Sequence, residues 1–181
     1  MMTTPTATTT EAGSPQASQA SRQFQGESFA EGYELDGIYL KLRSLGLMRY
    51  GLLRAFAAAL YLEEGERDPL ADVAKRLELA YFLPIAGRLF GPAARSVLKK
   101  SNSRAELAEL DVRLRTIDAA YRDVGSGDRY ALTYQPGVGT ELSLNGRPLE
   151  LVPGADFARA YFAIWLGARP MDRRLRDQLT A

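Results

Sequence analysis

The chain has 181 residues, a net charge of +1, and neither cysteine nor histidine. That length suits one domain with a real core, and the charge balance gives no reason to expect nucleic acid or an anionic membrane as partner. Without cysteine there is no disulfide framework and no thiolate nucleophile; without histidine there is no Ser-His-Asp chemistry, no imidazole acid–base catalysis and no common zinc site.

Residues 1–28 are rich in Thr, Ser, Ala and Gln and have almost no apolar anchor. Such a composition predicts a disordered tail, leaving residues 29–181 as the folded domain. The tail has no apolar h-region, so it is not a secretory signal, and no apolar run in the chain is long enough to span a bilayer. A cytoplasmic protein is the expectation. No tight cluster of Asp and Glu suggests a metal, and no cofactor is expected.

Residues 29–42 predict a first strand, with Leu35, Ile38, Leu40 and Leu42 as its apolar set and Gly46 as its breaker. Residues 47–62 are ambiguous. Their Leu and Ala content favours helix, while their near-continuous apolar run suits a strand buried on both faces. Asp68 to Lys75 reads as a short helical connection with Pro69 in its first turn. Arg76 to Ile85 alternates as a strand, and a helix starts near Pro92. Ser103 to Tyr121 is the clearest helix. Ser103 and Glu106 make a capping box, and Leu107, Leu110, Leu114, Ile117 and Tyr121 form an apolar stripe.

The last third predicts three strands and a covering helix. Tyr130, Leu132 and Tyr134 alternate with polar neighbours; Leu142 and Leu144 do so next; Asn145-Gly146 supplies a type I′ turn into Leu149 and Leu151. Residues 155–166 then place Phe157, Tyr161, Ile164 and Trp165 at helical spacing, ended by Gly167. Such a sheet, with one wet face, needs this helix as its cover. Asp172 caps a short final helix to Leu179, and Arg169, Arg173, Arg174 and Arg176 read as its solvated basic face.

The segments GDRYALTYQPGVGT, LNGRPL, PGADFARAYFAIWLG and LRDQL, with GLMRYGLLRAFAAALYL and RLELAYFLPI upstream, resemble the bacterial chalcone-isomerase-like family over residues 29–180. The resemblance implies an α+β fold: an antiparallel sheet of six or seven strands with helices mainly on one face. It decides residues 47–62 in favour of strand, kinked at Gly51. Members of this family are often exported, a pattern from which this sequence departs.

The resemblance also assigns residues to chemistry. Plant chalcone isomerases close a flavanone ring by intramolecular attack of a phenolate on an enone. An arginine in the segment before the first long hairpin strand orients the substrate, and Arg49 matches it here. Phe56, Phe90, Ala93 and Ile164 stand where the enzymes carry polar groups. Little then remains for activating a ketone or positioning a water. Plant proteins of the same fold bind fatty acids with the matching arginine and a nearby tyrosine. That implies Arg49 as anion anchor and Tyr50 as its partner, with Tyr81 and Tyr134 as alternative hydroxyls.

The expected function is therefore a non-catalytic binder of a small apolar or amphipathic acid, fatty-acid-like or phenolic. Its expected site is Arg49, Tyr50, Phe56, Tyr81, Phe90 and Ile164. An intramolecular lyase on another substrate and a structural protein with a filled core are the alternatives. No oligomeric state is legible.

Overall fold

The computed structural model describes residues 15–181. Two short strands, β1 (Gln16–Ala17) and β2 (Ser21–Phe24), precede β3 (Glu27–Ala30), β4 (Gly32–Leu35), the long β5 (Ile38–Tyr50), β6 (Leu53–Glu63) and β7 (Lys75–Tyr81). A 3-10 turn at Gly87–Leu89 leads into α1 (Phe90–Ser101) and α2 (Arg104–Ala120). The meander β8 (Arg129–Gln135), β9 (Gly139–Leu144) and β10 (Arg147–Val152) follows, then α3 (Ala155–Leu166) and α4 (Arg173–Thr180). All pairings are antiparallel. Eight strands form one sheet in the order β1-β4-β5-β6-β7-β8-β9-β10, and β2 pairs with β3 as a separate hairpin.

This is the α+β architecture expected, with more strands than the six or seven anticipated. Of the proposed tail, residues 1–14 lie outside the described residues. Residues 16–17 and 21–24 are strands rather than tail. Backbone pairing accounts for them: Gln16 and Ala17 extend the sheet beside β4, and Ser21 to Phe24 lie against β3. A polar strand that adds its ladder to an existing edge does not need an apolar stripe of its own.

Three further expectations change. Gly46 does not break β5 but lies inside it, because α4 crosses there. A Cβ on Gly46 would stand 2.8 Å from Cδ1 of Leu175 and 3.3 Å from Leu179. Gly51 is not a kink in one strand but the turn between β5 and β6, with φ of +57°. Residues 68–74 form turns and bends, not a helix. There the Lys75 ammonium donates to the carbonyls of Pro69 and Ala71 and gathers the loop around itself.

The strand β6 explains its own ambiguous sequence. Ala58, Leu60 and Leu62 belong to the core under the helices, whereas Ala57, Ala59 and Tyr61 belong to a second core on the opposite face. Both faces are buried, so no polar alternation survives. The second face is covered by β3, β4 and their neighbours and is not the wet face expected. It carries a buried charge relay: Tyr33 donates to Glu78 at 2.7 Å, and Glu78 pairs with Arg76 at 3.2 Å and Arg129 at 2.8 Å. Arg129 continues to Glu27 at 2.6 Å, tying β8 to β3.

The helical face follows the sequence closely. Ser103 and Glu106 cap α2 reciprocally, and Leu110, Leu114 and Ile117 are buried along it. Asn145 (φ +51°) and Gly146 (φ +76°) make the turn from β9 to β10. Asp172 caps α4 by accepting from the Leu175 N–H at 2.7 Å, turning Leu175 and Leu179 onto β5.

Candidate functional site

Between the sheet and the helices, near the β5–β6 turn, lies a cavity of about 360 Å³. Its sheet wall is a cross-strand row. Met48 on β5 stands opposite Phe56 on β6, and Phe56 stands opposite Tyr81 on β7. Residues so paired place their side chains on one face. The helical wall comes from Phe90, Ala93 and Ala94 of α1 and from Tyr161, Ile164 and Trp165 of α3. Positions 161, 164 and 165 are i, i+3 and i+4, so they share one helix face. Tyr50 and Leu89 also line the cavity yet are 71% and 48% exposed, so they mark its mouth.

Aromatic rings fix the inner end. Phe90 stacks on Tyr121 with centroids 4.8 Å apart, and Tyr81 meets Phe56 at 5.5 Å and Phe90 at 5.9 Å. The hydroxyls of Tyr121 and Tyr161 share a hydrogen bond of 2.8 Å. The Tyr81 hydroxyl makes no hydrogen bond among the described residues. Burial pushes the phenols of Tyr81, Tyr121 and Tyr161 well above the ordinary tyrosine value. They are neutral donors and acceptors at physiological pH, not bases. The indole Nε1–H of Trp165 is buried without a hydrogen-bond partner. Trp165 lines the cavity, but this N–H is closed off from the cavity space as well as from any acceptor among the described residues.

No Asp, Glu, Lys or Arg lines this cavity. Nothing on its wall therefore titrates near neutrality, and nothing supplies a charge. Among the described residues, no three acidic side chains group closely enough to hold a metal.

Five of the six residues expected at the site come together here: Tyr50, Phe56, Tyr81, Phe90 and Ile164. Arg49 does not join them. It is exposed on β5, paired in register with the equally exposed Arg54. The inward residue is its neighbour Met48, only 7% exposed. Side chains alternate along a strand, so one position decides which residue enters. The register shifts between Met48 and Arg49, which made that position hard to read from spacing alone. Ala93, another position without its polar group, also lines the cavity. Tyr134 lies elsewhere and donates to Asp72 at 2.5 Å. Sequence reading missed Met48 and Tyr121 as cavity-lining residues, and the role of Tyr161 and Trp165 in the cavity wall. The last two were visible as an apolar helix face, but spacing could not distinguish core from cavity wall.

A family model described as chalcone isomerase-like matches residues 21–180. No curated protein sequence matches the chain. Among solved structures, it is similar to a fatty-acid binding protein of Arabidopsis thaliana, with a TM-score of 0.67 and 16% identity. That likeness covers 89% of this chain and 96% of the other, and at such identity it speaks for the fold alone. No helix among the described residues is long and apolar enough to cross a membrane.

Proposed function

The chain belongs to the chalcone isomerase-like family, and we propose that within it this protein is a non-catalytic binder of a small apolar or amphipathic acid. The observation that carries this reading is an apolar cavity of about 360 Å³ without a charged side chain on its wall among the described residues. Cavities of roughly 300–1,000 Å³ with a few polar groups are the usual form of small-molecule sites. A hydrocarbon or phenolic body would fill the cavity. In a phenolic ligand, the Tyr81 hydroxyl would meet an oxygen of the body.

A carboxylate has no cation inside to pair with, and burying it unpaired is costly. The acid group therefore sits at the mouth, in water, beside Tyr50. Arg49 is exposed next to Tyr50 and acts on the carboxylate only through solvent. The fatty-acid binding of the Arabidopsis neighbour is in keeping with this reading. An intramolecular lyase has less support, since Phe56, Phe90, Ala93 and Ile164 offer nothing to activate a carbonyl. A filled core has less still, given the open volume.

The chain contains one tryptophan, Trp165, so its emission reports occupancy directly. Titration with a homologous series of fatty acids and with phenols tests the proposal. Affinity should rise by roughly 0.8 kcal/mol per methylene buried and then level off when the cavity is full. No change in emission and no heat of binding with any member would refute it.

A further inference from the structure

The mouth of the cavity carries a feature that ligand binding does not require. The turn from β5 to β6 projects bare apolar side chains: Leu52 is 95% exposed, Tyr50 71% and Leu53 60%. Leu89, across the mouth, is 48% exposed. Exposed leucines scattered singly mean little, but a cluster at a hairpin tip marks an interaction surface.

The chain segments beside this tip are mostly basic, with Asp123 accepting from the Gly87 N–H at 2.7 Å as an acid next to one of them. Residues 47–54, 84–89 and 171–174 are three of the segments that contribute lining residues, and the first two hold Tyr50 and Leu89 at the mouth. They contain Arg49, Arg54, Arg88, Arg173 and Arg174, and Asp172 as their one acid. All five arginines are exposed. Asp172 is engaged in capping α4. Arg49, Arg88, Arg173 and Arg174 form no ion pair among the described residues. A net charge of +1 over the whole chain hides this local excess.

We infer that the β5–β6 tip is a membrane-docking surface, with Leu52, Leu53 and Tyr50 entering the headgroup–acyl boundary of an anionic bilayer and the flanking arginines pairing with lipid phosphates. Apolar side chains ringed by arginine have the chemistry of an interfacial anchor. A water-soluble acidic partner would suit the arginines but leave Leu52 in water. A second copy of this chain would bring like charge against like charge. The bilayer satisfies both features, and it opens the cavity mouth toward the phase in which an amphipathic molecule resides. The inference stands on the exposed tip and does not require the cavity to be occupied.

The test is flotation of the full chain with phosphatidylcholine vesicles and with vesicles that also contain phosphatidylglycerol. The wild type is expected to float with the anionic vesicles and to be released by salt. Leu52→Ser combined with Leu53→Ser should weaken binding tenfold or more. Arg88→Ala should weaken binding about fivefold on anionic vesicles only. All three positions are exposed, and unchanged thermal melting would show that the variants fold. Absence of vesicle binding, or binding indifferent to the leucine pair, overturns the inference. So does a concentration-dependent dimer that the leucine substitutions abolish, which would assign the tip to a second copy. Ligand titration by Trp165 emission without vesicles is read separately, so either idea can fail alone.

Discussion

Trp165→Phe and Tyr81→Phe together separate a cavity wall built for a ligand from a core that merely packs poorly. In the free protein, the buried indole N–H has no acceptor. Leaving such a donor unsatisfied costs about 1–3 kcal/mol, and phenylalanine removes the donor. Against this stands the lost part of the ring, at about 24 cal/mol per Å³ of space left unfilled, or ~1 kcal/mol for a gap of roughly 40 Å³. The two terms oppose, so the variant should stay within about 1 kcal/mol of wild type in chemical denaturation. A buried aromatic truncated to alanine would instead lose about 3–5 kcal/mol. Binding is tested at Tyr81, a lining residue whose hydroxyl makes no hydrogen bond among the described residues. In Tyr81→Phe, a ligand oxygen that accepts from that hydroxyl gives up one neutral hydrogen bond, about 0.5–1.5 kcal/mol, or roughly two- to twelvefold in affinity. A matched ligand without that oxygen should be unaffected. Trp165 emission reports both titrations in that variant. Equal weakening of both ligands by Tyr81→Phe, or a stability loss of about 3 kcal/mol in Trp165→Phe, would refute the reasoning.

Arg49→Ala should weaken acids by less than about 1 kcal/mol, and less again at high salt, because the side chain is exposed; calorimetry with acid and alcohol of equal length measures it. Chalcone should not be cyclised above the solution rate, as followed by loss of its absorbance, since no lining group can hold a charge near neutrality. Gly46→Val should cost roughly 1–3 kcal/mol in denaturant unfolding, because its side chain would drive Leu175 and α4 off β5. Burial lowers the Lys75 ammonium to about 8 from 10.5, partly offset by Asp68, Asp72 and Glu66. Between those values the unfolded chain holds more protons, so stability should rise with pH across that window, by up to about 1.4 kcal/mol per pH unit. A Lys75→Met variant should lack that rise when melting is followed from pH 7.5 upward.

The helices and the C-terminal meander were legible because their signals are local. A capping box at Ser103 and Glu106, an Asn145-Gly146 turn and an Asp172 cap each act within a few residues. The strands β5 and β6 were not legible in the same way. Ala57 and Ala58 are both fully buried, one in each core, so periodicity vanishes where both faces are covered. Gly46 reads as a breaker until α4, which returns from far along the chain, is laid across it. The strands β1 and β2 were hidden for a related reason: edge pairing is supplied by the neighbour, and apart from Ala17 and Phe24 their own residues are polar.

The site was legible in composition and not in charge. Phe56, Phe90, Ala93 and Ile164 come from three separate stretches, β6, α1 and α3, and meet in one cavity, so apolar residues at all four positions have one consequence: an apolar wall. Whether a cation enters that wall depends on a single step of strand phase. With Arg49 inward, the cavity would select anions by pairing. With Met48 inward, as found, the proposed ligand would be selected by shape and by neutral hydrogen bonds, and Arg49 is left outside. The same step supplies both properties argued above. Turning Arg49 outward removes the charge from the cavity and adds it to the exposed β5–β6 hairpin that carries the bare Leu52 and Leu53. An apolar interior and a basic, leucine-tipped entrance are thus two results of one register, and a shift by one residue would reverse both.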